Sequence, residues 1–236
     1  MPVCVRNLNF MNNEEVLVNP YTAIHLFAKT YRSVGNNLLI DRRYRVTREA
    51  WIASMFLLAI RKHTGRDWWL TPVRDDGSPD FNCYSFVEGK IGNSKERIKL
   101  EVFEWRKEMY EDSFIEALKT IKLRKIIDPQ ITLLCYVRKT VAVPPVIELN
   151  MEIIRIAPKV KDIWYVGDVS VDSKIWRIAQ VYPNPMAIDL DYDEILRTRA
   201  ERSFIHSYLG KSNGVVYESS GKKVVLTPEF DFVVEE

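Results

Sequence analysis

Apolar and polar positions along the chain switch between a helical period and a strand period, and the switches mark out the elements. "NPYTAIHLFAKTYRSVG" reads as a helix, with Asn19 as N-cap, Pro20 at the first position and Gly35 beyond the end. A second helix is predicted from about Arg48 to His63, capped by Thr47 and stopped by Gly65. Its middle, "AWIASMFLLAI", is apolar on nearly every side, the pattern of a buried helix. Three strand-like runs follow, "DWWLTPV", "FNCYSFV" and "RIKLEVFEW". The polar "EGKIGNSKE" between the last two reads as a hairpin connection. "SFIEALKTIKLRKI" returns to helical spacing and opens on a capping box, Ser113 with Glu116. "ITLLCYV" is continuously apolar, as a strand buried on both faces should be.

Beyond "VAVPPV" the pattern predicts mainly β structure, in "VIELNMEIIRI", "DIWYVGDVSV" and "KIWRIAQVY". A helix from about Tyr192 to Leu209, ended by Gly210, and a hairpin in "GVVYESSGKKVVL" complete the chain. The adjacent prolines divide it into a core, residues 1–145, and a β-rich extension, residues 146–236. At 236 residues the two are one large domain or a core with an appendage.

Composition narrows the class without naming a function. Hydrophobic residues at 47% and charged residues at 28% are ordinary for a globular protein. The apolar run Ala50 to Ile60 is too short to span a bilayer, and the N-terminus lacks the apolar stretch of a signal peptide. Three widely spaced cysteines, Cys4, Cys83 and Cys135, fit neither a disulfide framework nor a four-ligand zinc site, so a reducing cytoplasm is expected. A net charge of +2 gives no whole-chain signature of nucleic-acid binding. Basic residues are concentrated locally in "DRRYRVTRE" and "KTIKLRK", where Arg42, Arg43, Arg45, Lys119 and Lys122 are candidate phosphate contacts or a solvated face. His25, His63 and His206 show no ligand spacing, and "DLDYDE" lacks the glycine and distal glutamate of a calcium loop.

The stretch "DDGSPDFNCYSF" poses the chemical question. Asp80 ends a turn-forming sequence, and a turn alone would explain it. Yet the order helix, three strands, helix, strand over about residues 41–138 resembles the PD-(D/E)xK, restriction-endonuclease-like nucleases. The resemblance is best seen against the archaeal Holliday-junction resolvases of that group. In that resemblance "DRRYRVTRE" is the basic lead, Glu49 the helix glutamate, Pro79-Asp80 the Pro-Asp that opens a strand, and Glu101 the glutamate of the next strand. It implies an α/β fold, a mixed sheet flanked by helices with a mainly β C-terminal extension, and Mg²⁺- or Mn²⁺-dependent cleavage of DNA. Asp80 and Glu101 would then be metal ligands, with Glu49 accessory, since hard divalent ions take carboxylate oxygens.

"VEGK" supplies an apparent Glu-x-Lys in Glu88 and Lys90, but Glu88 would lie about 26 Å from Asp80 along one strand at ~3.3 Å per residue. A hairpin centred near Lys90 and Ile91 instead sets Asp80 beside Glu101. Alternation puts Lys99, Glu101, Phe103 and Trp105 on one face and Leu100, Val102 and Glu104 on the other. Phe103 stands where the family has lysine. Lys99 is therefore the expected stand-in, with Lys119 and Lys122 as further candidates. The alternatives are a non-catalytic member of the same fold that binds nucleic acid or a partner protein within a larger assembly, or a β-rich structural or capsid-associated protein; besides DNA, the candidate partners are other proteins or a homo-oligomer.

Overall fold

The computed structural model describes residues 14–73, 78–87, 94–105, 114–126, 128–137, 145–169, 174–200, 204–208, 215–219, 222–226 and 232–235. Strand β1 (Glu14–Val18) leads into α1 (Pro20–Val34), whose Asn19 cap accepts from the Tyr21 N–H and whose end is set by Gly35. A single turn, α2 (Asn37–Ile40), and a 3-10 turn (Arg42–Tyr44) deliver the chain to α3 (Arg45–Thr64). That helix begins about one turn earlier than the pattern implied, and Thr47 lies buried inside it. Gly65 ends it in the left-handed conformation, which a residue without Cβ adopts at low cost.

Strands β2 (Trp69–Pro72), β3 (Phe81–Val87) and β4 (Ser94–Trp105) then form an antiparallel run. A short α4 (Phe114–Ala117) continues as a π-helical segment (Leu118–Leu123) and returns the chain to β5 (Ile131–Val137), parallel to β4. After α5 (Val146–Ile156), β6 (Asp162–Asp168) pairs parallel to β5, and β7 (Ile175–Tyr182) and β8 (Met186–Asp191) add antiparallel strands. Helix α6 (Tyr192–Arg197) precedes β9 (Phe204–Tyr208), β10 (Val215–Ser219), β11 (Lys222–Leu226) and β12 (Phe232–Glu235). All belong to one twelve-stranded sheet, in the order β12-β11-β10-β9-β1-β2-β3-β4-β5-β6-β7-β8. The fold is thus α/β with a mixed sheet and helices. Among the described residues no helix is long and apolar enough to cross a membrane.

Each sheet face carries its own core. Helix α3 buries Trp51, Ile52, Met55, Phe56 and Leu57 against Phe81, Leu100, Val102, Leu134 and Trp164. On the other face α4, the π-helical segment and α5 cover Phe103, Trp105, Leu133, Cys135 and Ile163. The α3 core draws heavily on residues after 145. The Phe56 ring meets Trp164 at 5.2 Å, Trp51 meets Trp176 at 5.0 Å, and the Trp51 indole N–H donates to the Tyr192 hydroxyl at 3.2 Å.

Two predicted elements differ. "VIELNMEIIRI" is a helix, α5, and not a strand. Leu149 and Ile153, four residues apart, are buried and Asn150 donates to the carbonyls of Val181 and Pro183. Pro145 stands at its N-cap, so the proline that was read as a boundary starts a helix. The helix predicted from Tyr192 to Leu209 stops at Arg197, and "FIHSY" is a strand because β1 and β10 offer it partners on both edges. Ser113 and the hairpin tip with Glu88 and Lys90 lie outside the described residues, as does Cys4.

Candidate active site

The β3–β4 register places the two central carboxylates. Phe81 pairs with Leu100, so one step earlier Asp80 stands opposite Glu101. On its other side Asp80 is tied to the end of β2, where the Val73 N–H donates to the Asp80 carbonyl at 2.9 Å. Asp80 Oδ2 accepts the Val102 backbone N–H at 2.8 Å, which fixes the carboxylate against β4. The Ser78–Pro79 peptide that leads into it is cis.

A third acid arrives from α3. Arg45, the first residue of that helix, donates from Nε to Glu49 Oε1 at 2.7 Å and from Nη2 to Asp80 Oδ1 at 3.3 Å. Glu49 lies one turn along, where i and i+4 side chains meet. From the opposite side of the sheet, Lys122 on the π-helical segment donates to Glu101 Oε1. That pair is well shielded, with 16% of the Lys122 side chain and 11% of the Glu101 side chain exposed. Glu101 Oε2 is buried and has no hydrogen-bond partner among the described residues. A buried carboxylate oxygen with nothing to accept from is costly, and a cation is what such a position suits.

Burial and crowding act on Glu49 and Asp80 together. Burial pushes the Glu49 carboxyl up to about 7, and the Asp80 charge adds to this while Arg45 opposes it. Asp80 is also raised, by burial first and then by Glu101, against the Val102 N–H, Lys122 and Arg45. Like charges confined in a dry site raise one another's proton affinity, and perturbed carboxyls cluster at functional sites for that reason.

Other predicted residues go elsewhere. Lys99 does not join the group but pairs with Asp128 at 2.5 Å, so the lysine beside Glu101 is Lys122. Phe103 is buried in the α4–α5 core. Lys119 pairs with Glu116 on its own helix, Arg43 with Asp41, and Arg42 is exposed. Trp68, Trp69 and Trp105 are all buried, so none of these three offers an open ring for base stacking. Sequence reasoning missed Arg48 and Glu104, an ion pair at 3.1 Å between α3 and β4. The Arg48 Nη1 also donates to the carbonyls of Leu38 and Asp41. The signal was present: Glu104 alternates onto the α3 face of β4, where a charge needs a partner.

Among the described residues no three His, Cys, Asp or Glu side chains gather closely enough to hold a metal ion in this arrangement. Arg45 and Lys122 occupy positions between and beside the acids instead. The donor set nevertheless fits a hard divalent ion, being all carboxylate with one buried oxygen unsatisfied. No family model matches this chain, and no curated protein or solved structure matches it either.

Proposed function

We propose that this chain is a metal-dependent endonuclease, cleaving DNA phosphodiester bonds on a restriction-endonuclease-like core. The observation that carries the reading is the buried, unpartnered Glu101 Oε2, set opposite Asp80 and ion-paired through its other oxygen to Lys122. The order α3, β2, β3, β4, α4, β5 supports it, being the order that the resemblance implies. Asp80 and Glu101 are the ligands for Mg²⁺ or Mn²⁺, with Glu49 accessory. When bound, such an ion activates a water and offsets charge developing on the phosphate. Lys122 holds Glu101 in place and carries the role first assigned to Lys99. Glu49, with a proton affinity near neutrality, is able to exchange a proton close to the site.

The test is cleavage of plasmid and branched DNA with Mg²⁺ or Mn²⁺, with and without chelator. Asp80→Ala and Glu101→Ala should each abolish cleavage, and Lys122→Ala should reduce it about a hundredfold or more, the scale of a lost electrostatic contact to the reacting group. Lys99→Ala should leave it nearly unchanged. Full activity in Asp80→Ala, or cleavage that survives chelation, sinks the reading. Buried Phe103 in the place of the motif lysine favours the second reading, a non-catalytic binding member of the fold. That reading requires DNA or protein binding with no cleavage by the wild-type chain.

A further inference from the structure

We infer that Arg45 is an exchangeable counter-ion: its guanidinium bridges Glu49 and Asp80 when no metal is bound and leaves when a divalent cation enters. The inference rests on the proposed metal site and concerns how that site is filled. Three observations carry it. Among the described residues Arg45 is the cation that ion-pairs with two of the three acids, reaching Glu49 at 2.7 Å and Asp80 at 3.3 Å. Its contact with Asp80 is long for a charge-assisted bond, so the hold there is weak. Half of its side chain is exposed, against 16% for Lys122, so it can swing out without disturbing the core.

Its position on the helix points the same way. Arg45 is the first residue of α3, where the aligned peptide dipoles place partial positive charge and disfavour a cation. Glu49 and Asp80 are the side chains that hold it there among the described residues. With all groups ionised, Glu49, Asp80 and Glu101 against Arg45 and Lys122 leave a single net negative charge. Adding a divalent ion while Arg45 stays would make the group net positive. Releasing Arg45 restores the balance and frees a planar fork suited to a phosphate oxygen pair.

The unwanted explanation is that Arg45 merely orders the carboxylates, in which case removing it would weaken metal binding. Calorimetric titration of Mn²⁺ into metal-free wild type, Arg45→Gln and Arg45→Lys separates the two. Arg45→Gln should bind Mn²⁺ about tenfold more tightly, since one opposing unit charge is removed at short range. Arg45→Lys keeps the charge without the fork and should fall between the two. Equal affinities, or weaker binding by Arg45→Gln, overturn the counter-ion role and leave the metal site standing. No Mn²⁺ binding by any of the three overturns both. Because Arg45→Lys retains helix-forming length and charge, it keeps the comparison valid should Arg45→Gln fold poorly.

Discussion

Glu49 shows how much one residue's surroundings decide. Its carboxyl is moved from the ordinary 4.5 to about 7, chiefly by burial. The folded state therefore holds a proton that the unfolded chain has already lost between those two values. Stability from this group is complete below about pH 4.5 and is lost as pH rises through 7. Glu49→Gln cannot ionise, yet its amide oxygen can still accept from Arg45. In the presence of chelator it should exceed wild type in stability above pH 7, by about 2 kcal/mol or more given 1.36 kcal/mol per unit. The gap should close towards pH 5, as read from urea midpoints across the range. An unchanged gap from pH 5 to 8 would show that Glu49 is already ionised throughout. The residue-level site was partly legible: alternation and hairpin arithmetic set Asp80 beside Glu101, and the observed ladder ends one step short of them, at Phe81 with Leu100. Lys122 was harder to place, because a π-helical segment changes which side chains face the sheet and spacing alone assumes the α-helical period.

Among the elements, α3 illustrates both what patterning conveys and what it hides. Its apolar middle announced a buried helix, and thirteen of its residues are buried. The buried polar trio at its start, Thr47, Arg48 and Glu49, carries no periodic signal. Arg48 ties the helix to β4 through Glu104 and to the preceding turns through two carbonyls at 2.9 Å. Arg48→Met fits the volume but takes a counter-charge from Glu104 and a donor from both carbonyls. It should cost about 3–5 kcal/mol, the range for breaking a buried ion pair from one side. Arg61→Met at the exposed end of the same helix is the control, worth less than about 1 kcal/mol. Chemical denaturation of both variants checks the contrast. The failures at this scale share one cause. Residues 146–156 and 204–208 are short, rich in β-branched and aromatic side chains, and ambiguous in period. Partners far along the chain decide them, Val181 and Pro183 for α5 and β1 for β9.

For the whole molecule, the sheet runs without a break across the prolines at 144 and 145. β6 is hydrogen-bonded along β5, and Trp164, Val166, Ile178, Leu190 and Ile195 complete the core beneath α3. A fragment ending at residue 145 would expose the free edge of β5 and the faces of Trp51 and Phe56 that those residues cover. Expressed alone, residues 1–145 should lack cooperative thermal unfolding and should aggregate, since an unpaired apolar strand edge templates association. A sharp calorimetric transition from that fragment would show that the first part is self-sufficient. The pairing of β1 has a different consequence, for synthesis. Val16 lies opposite His206, while towards β2 the register is the single pair Val18 with Leu70. β1 must therefore wait for residues 204–208 to leave the ribosome before its main partner exists. At ~5–20 residues per second that delay is roughly ten seconds or more. Throughout it β1 lacks its main partner, the kind of open strand that holdase chaperones engage.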